Sequence, residues 1–454
     1  MGTLWQDLRY SFRMLWKDKS FAAVAVLTLA LGIGANTAIF TVVDATLLRP
    51  LPYRDPDRLV HLWETSAQQQ QFAEREASYP DYLDWKEQNR VFDGVAGYSR
   101  RRFTLTGRDA PDLLRGAAVT DGFFQVLGVQ PVAGRSFEAG EDRPGAELLV
   151  MLGHDIWRRR FNSDPRIVGQ TLTLNGTSYR VVGVLPASFQ FAPANEADVW
   201  VPLNPNEQQL SRRFMHWLNV VARLKPGVTV EQAKADMDNI ARRIAEAHAD
   251  SHTGTSVRVV GLHEQIVGNL KPILFVLLGT VCFVLLIACA NVANLLLARS
   301  AARQKEIAIR AALGASQGRL LRQLLTESTV LALAGGVAGA LLASWGVDLL
   351  VARLPEAQLV SMPYLRGLSL NPNVLVFTSV ISLVTGVVFG LAPALQSTKP
   401  SLQDSLKEGG RTSSAATHQR LRSLFVVSEI ALALLLLVGA GLVLKSFVRL
   451  LEVR

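Results

Sequence analysis

Long uncharged stretches alternate with ordinary polar sequence along these 454 residues. Stretches of about 18 or more residues without charge are long enough to cross a bilayer as helices. Four such stretches stand out: residues 21–43, 272–298, 328–347 and a run from 374 to 396 that is most apolar up to Leu391. A fifth, 424–444, is interrupted only by Glu429. At about 1.5 Å per residue each covers a hydrocarbon core of roughly 30 Å. The first stretch is longer than the apolar region of a secretory leader and lacks a convincing small-residue cleavage site behind it, so it reads as an uncleaved span.

Between the first and second stretches lies a polar insert of ordinary composition, residues 44–271, whose pattern is that of an α+β domain. Strand-like runs fall at 59–63, 102–106 and 217–225, with a helix from Val230 to about Ala247. In QTLTLNGTSYRVVGV (170–184) alternating residues flank Asn175-Gly176, the strongest short hairpin signal. The hairpin accounts for this pair without invoking the glycosylation sequon it also forms. The insert's length suggests two subdomains. The fold class expected is therefore an α-helical integral membrane bundle of four clear spans and a fifth candidate. A large α+β extracytoplasmic domain is inserted between the first two spans.

Residues 1–20 have a different period. At about 100° per residue, Leu4, Trp5, Leu8, Phe12, Leu15 and Trp16 share one arc, with Arg9, Arg13 and Lys17 beside it. That is an amphipathic helix suited to the headgroup layer of a membrane.

Composition sharpens this picture. Only 19% of residues are charged and 49% are hydrophobic, a charge deficit that excludes a purely soluble enzyme and a disordered chain. Cys282 and Cys289 fall in one apolar run and read as small core residues. The formal charge of +9 is unevenly placed. The insert holds 27 Lys+Arg against 28 Asp+Glu, and the rest of the chain holds 20 against 10. The excess sits before the first span, in the 299–327 loop and in the 397–423 linker, so these face the cytoplasm and the insert lies outside. Lys445, Arg449 and Arg454 after the fifth stretch run weakly against that pattern. Because the charge tracks loops beside spans rather than one soluble face, nucleic acid is not an expected partner.

Several chemical signals are weak in context. The chain has no Gly-Lys dipeptide and hence no P-loop. Gly314-Ala-Ser316-Gln-Gly318 matches a nucleophile elbow formally, yet it lies in a short basic loop where no parallel sheet can be built. His248 and His252 have helical i, i+4 spacing but no evident third ligand, so a solvated helix end is the expectation and no metal site is assigned. Glu429, near one end of its span, reads as snorkelling to the interface. Gly335-x-x-x-Gly339 and Gly386-x-x-x-Gly390 suit close helix packing. No catalytic residue is assigned.

The segment RQKEIAIRAALGAS (303–316) resembles the loop between the second and third spans of FtsX/MacB-superfamily ABC transporter permeases. The opening from Trp5, WQDLRYSFRMLWKDKSFAAVAVLTLALGIGANTAIF, looks like the duplicated-permease branch first noted in acidobacteria. SYPDYLDW (from Ser78) and FFQVLGVQPVAGRSF (from Phe123) are similar to the MacB periplasmic core domain. The resemblance implies one span, a large periplasmic domain and then three spans, in the bacterial inner membrane with the N-terminus cytoplasmic. It implies a separate MacB-type ATPase that uses the ATP, so this chain needs no cofactor and is no enzyme. A second permease half or a second copy is also implied, and a periplasmic adaptor is a further possible partner. Arg303, Lys305, Glu306, Arg310, Gly314 and Ser316 would form the ATPase-coupling region. Trp5, Leu8, Arg9, Phe12, Arg13, Trp16 and Lys17 would form the interfacial helix. Spans one to four make a complete unit, and residues 420–449 look like the start of a second half, so the chain is expected to be a truncated duplicated permease. The expected function is export driven by motion of the periplasmic domain. An FtsX-like signalling subunit that controls an extracytoplasmic enzyme is the alternative, and the size of the insert favours export. The substrate is not legible.

Overall fold

A computed structural model describes residues 2–66, 74–107, 110–191, 193, 197–268, 270–302, 309, 316–353 and 368–397, and residues 423, 425–439, 441–442 and 445 near the C-terminus. In chain order the helices are α1 (Gly2–Lys17), α2 (Lys19–Val43), α3 (Tyr79–Gln88), α4 (Phe123–Leu127), α5 (His154–Phe161), α6 (Glu207–Ser211), α7 (Val230–Ala247), α8 (Ala249–His252), α9 (Leu262–Val267), α10 (Lys271–Ala302), α11 (Gln317–Arg353), α12 (Pro372–Ser397) and α13 (Phe425–Gly439). The strands are β1 (Leu59–Ser66), β2 (Phe92–Thr106), β3 (Asp112–Val119), β4 (Ala133–Gly134), β5 (Leu149–Leu152), β6 (Thr171–Leu174), β7 (Thr177–Val184), β8 (Val199–Pro202), β9 (Asn219–Leu224) and β10 (Thr255–Gly261). The chain divides into a helical unit, residues up to Leu48, Lys271–Leu354 and from Gly367 onward, and a mixed unit that contains Arg49–Leu270.

Among the described residues of the helical unit, four helices are long and apolar enough to cross a membrane. The apolar run 328–347 is only the middle of α11, which continues for 37 residues. The fifth candidate stretch is helical over Phe425–Gly439. Ala25, Leu29 and Ile33 of α2 pack with Leu285, Cys289 and Val292 of α10 and with Leu331 and Ala332 of α11. Both small-residue motifs lie at contacts where backbones come close. A Cβ on Gly34 would lie 2.9 Å from the carbonyl oxygen of Gly339. A Cβ on Gly386 would lie 2.8 Å from the Cα of Thr329. Without a hydrophobic force between helices in lipid, such close packing supplies the association. Polar cross-links add to it: Asn36 Nδ2 donates to the Val281 carbonyl at 2.7 Å, and the Thr37 and Thr378 hydroxyls lie 3.0 Å apart. Asp44 is fully buried just past α2 and accepts from Asn371 Nδ2 at 2.6 Å.

The mixed unit is built on one ten-stranded sheet in the order β10-β1-β9-β2-β3-β8-β5-β7-β4, with β6 pairing β2 and β7. The sheet runs through the insert and carries a hydrophobic cluster on each face. Strand alternation does this. In β9, Val220, Ala222 and Leu224 join one cluster and Val221 the other. One face is covered by Tyr82 and Trp85 of α3 and by Met237, Ile240 and Ile244 of α7. The other holds an aromatic knot in which Phe123 stacks on Trp200 at 5.6 Å and Tyr98 meets Phe191 edge-on at 5.0 Å.

Local signals set the ends of two elements. Ser78 caps α3, its Oγ accepting from the Asp81 amide at 3.1 Å, with Pro80 in the first turn. The Asn175-Gly176 pair closes the β6–β7 hairpin with both φ angles positive, 51° and 78°.

Candidate functional site

The clearest concentration of polar interactions in the helical unit lies where α1 meets α2 and where α10 ends and α11 begins. α1 stops at Lys17 because Asp18 leaves helical geometry (φ −120°, ψ 72°) and starts α2 by accepting from the Phe21 amide. Asp7 and Ser11 form the buried edge of α1, and Ser11 Oγ donates to the Asp7 carbonyl at 2.9 Å. The Asp7 carboxylate in turn accepts from Arg322 Nε of α11 at 2.8 Å. Leu8 and Leu15 are half-buried beside this edge. Trp5, Phe12 and Trp16 are open, at 69%, 62% and 75% exposure, and the neighbouring Arg9, Arg13 and Lys17 are exposed too. The sequence's single apolar arc is thus split between helix packing and an uncovered aromatic strip beside cations.

One turn deeper is a buried ion-pair cluster. Arg299 Nη1 of α10 lies 3.2 Å from Glu327 Oε1 of α11, and Nη2 lies 3.7 Å from Asp18 Oδ2. The guanidinium sits over the Phe21 ring, 4.3 Å from its centroid. With side chains only 11% and 6% exposed, Arg299 and Glu327 neutralise each other where solvent does little of that work. Sequence reasoning missed this cluster. Glu327 was visible only as the charge that bounds a span, and Arg299 only as one more basic residue in a loop.

Between α10 and α11 lies the expected coupling region. Arg303, Lys305, Glu306, Arg310 and Gly314 fall outside the described residues. Ser316 is exposed at the head of α11, and its carbonyl accepts from the Arg319 and Leu320 amides at 3.0 and 3.2 Å. Its place is a helix start among helices, which offers nothing of a strand-to-helix nucleophile elbow. Glu429 does not simply reach for the interface: its Oε1 accepts from Asn291 Nδ2 of α10 at 2.9 Å, a partner within the bundle.

Of the two histidines in the mixed unit, one alone is at a solvated helix end. His248 is exposed at the end of α7, whereas His252 is buried, and its Nε2 lies 3.1 Å from Asp81 Oδ2. Asp81 also accepts from Ser78 and Arg213, and Arg213 reaches Asp84 at 2.7 Å. Glu64 of β1 is close by, and it takes Arg75 on one oxygen with His216 3.4 Å from the other. The carboxylates of Asp81, Asp84 and Glu64, with the guanidinium groups of Arg213 and Arg75, cross-link β1, α3, α8 and the 213–216 segment. Burial would raise the Asp81 carboxyl, but hydrogen bonds from His252 and Ser78 and the nearby charge of His252 and Arg213 hold it below its ordinary value. The i, i+4 spacing was misleading because α7 breaks at His248, so the two rings diverge.

With this geometry in hand, the chain's likeness to known proteins is extensive. Residues 22–240 match the MacB-like periplasmic core domain, and residues 278–402 match the FtsX-like permease C-terminal domain. The pyoverdine export ATP-binding/permease protein PvdT of Pseudomonas aeruginosa is 28% identical over 269 residues, which make up 58% of this chain and 38% of that protein. The macrolide export ATP-binding/permease protein MacB of Chromobacterium violaceum is 26% identical over 287 residues, covering 63% and 42%. The ABC transporter permease YknZ of Bacillus subtilis is 26% identical over 285 residues, covering 62% and 66%. The chain thus spans about two-fifths of the length of the two export proteins. Among solved structures, the periplasmic region of MacB from Actinobacillus actinomycetemcomitans aligns with 47% of this chain and 92% of its own length, at 11% identity and a TM-score of 0.35.

Proposed function

This chain belongs to the FtsX/MacB-like ABC permease family, and from that premise we propose that it is the membrane-spanning subunit of an exporter driven by a separate cytoplasmic ATPase. In this reading α1 lies in the cytoplasmic headgroup layer of the bacterial inner membrane, and the mixed unit stands on the periplasmic side. The excess of basic residues beside the spans supports that orientation. The ATPase meets residues 303–316, and a second permease half or a second copy of the chain completes the transporter.

The observation that carries this reading is the Arg299–Glu327 ion pair, which braces the two helices that bracket residues 303–316. A force applied to that segment reaches α10 and α11 through a stiff charged joint rather than through slack loop. Arg322 and Asp7 bring α1 into the same joint. α10 is continuous with the end of the mixed unit and α2 with its beginning, so motion of these helices is handed to the periplasmic domain. Substrate is moved by that domain, and the ATP chemistry stays with the partner.

Reversing charge at Arg303, Lys305 and Arg310 together tests the reading. Co-purification of the partner ATPase should be lost, while membrane insertion and the melting temperature stay unchanged. Undiminished ATPase association in the triple variant would remove the coupling proposal.

A further inference from the structure

Between α1 and α11 runs an apolar groove of about 400 Å³. Leu8 forms one wall, and Leu321, Leu325, Thr329 and Leu333 form the other. Beyond Leu333 the exposed face of α11 continues with Val337 and Leu341 at one-turn spacing, so the groove opens onto a surface that fits hydrocarbon. Its opposite end is cationic. Arg322 lines the groove with its side chain 40% exposed, and Arg319 is exposed one turn earlier. Asp7 supplies one negative charge there, against the two arginines and the exposed Arg9.

We propose that this groove holds an acyl chain of an anionic phospholipid, with Arg322 binding the headgroup phosphate. Ligand pockets of roughly 300–1,000 Å³ are mostly apolar with a few polar groups that fix orientation, and this groove has that composition. The surplus positive charge at its mouth complements a net negative headgroup. A zwitterionic lipid brings its own cation to the same place and gains less. Asp7 takes Nε of Arg322, and its negative charge opposes a phosphate at the remaining nitrogens of the same guanidinium. Occupancy therefore loosens the tie between α1 and α11, making the docking of the interfacial helix responsive to lipid. This inference depends on the spans and not on any partner ATPase.

The test uses the full chain in mild detergent, titrated with phosphatidylglycerol or phosphatidylcholine and read by native mass spectrometry. The wild type should retain one phosphatidylglycerol about tenfold more tightly than phosphatidylcholine. Arg322→Gln should erase that preference. Asp7→Asn should strengthen phosphatidylglycerol binding, because it removes that opposing charge; a merely structural role for the pair predicts weakening or no change. Gly318→Phe enters the groove at a position where a Cβ meets nothing within 4 Å, and it should weaken both lipids. Equal affinity of the wild type for the two lipids, or phosphatidylglycerol binding that ignores Asp7→Asn and Gly318→Phe, would overturn the proposal.

Discussion

Arg299 and Glu327 lie 28 residues apart in the chain, yet Nη1 of one is 3.2 Å from Oε1 of the other, in a place that water barely reaches. Asp18 at 3.7 Å and the face of Phe21 also meet this group, so three helices come together around one guanidinium. Removing either side chain of the pair leaves the other charge less well neutralised where solvent does little to compensate.

Arg299→Leu or Glu327→Leu alone should therefore destabilise the helical unit by about 3–5 kcal/mol, whereas the apolar pair Arg299→Met with Glu327→Leu should recover most of that loss. Thermal unfolding in detergent reads the difference. Additive losses in the double variant would show that the two side chains do not act as a pair.

Close backbone contact at Gly339 makes a second prediction. A Cβ there would sit 2.9 Å from both the Ala30 carbonyl oxygen and the Gly34 nitrogen. Gly339→Ala should cost about 1–3 kcal/mol. In the same helix a Cβ on Gly346 meets nothing within 4 Å, and Gly346→Ala should be neutral or stabilising by up to about 1 kcal/mol. Melting temperatures that move alike would contradict the packing.

The mixed unit should lose stability as pH falls below neutral. His61 of β1 is 1% exposed, lies tilted against Trp63 with ring centroids 4.5 Å apart, and has no hydrogen-bond partner for Nδ1 among the described residues. Burial pushes its pKa down to about 3. The unfolded chain takes up this proton near the ordinary value of about 6.5, so the contribution is complete above that pH. It shrinks by about 1.4 kcal/mol per pH unit as pH drops toward the folded value. His61→Phe should flatten the stability curve between pH 6.5 and 4, measured by denaturant unfolding; parallel curves for the two proteins would refute it.

Much of the architecture is a property of segments. Each apolar run becomes a helix because hydrocarbon demands internally satisfied backbone, whatever its neighbours are. Asn175-Gly176 turns the chain because both residues accept positive φ, and Val230–Ala247 is helical from its own period and its Thr229 cap. The amphipathic N-terminus and the two glycine motifs were legible for the same reason. Even the kinship of the chain rests on such local stretches, and the matched domains at 22–240 and 278–402 agree with it.

Tertiary structure alone decided which charges meet. No pattern in the chain joins Arg299 to Glu327, Arg322 to Asp7, Glu429 to Asn291, or His252 to Asp81 171 residues away. A charged residue announces that it needs a partner where water is scarce, but the partner is chosen by how helices and strands pack. The pair His248–His252 shows the converse, because neighbours by spacing were parted by one helix break. Hydropathy acts on every residue of a segment at once and so survives in the sequence. An ion pair is a relation between two positions, and only the folded chain contains it.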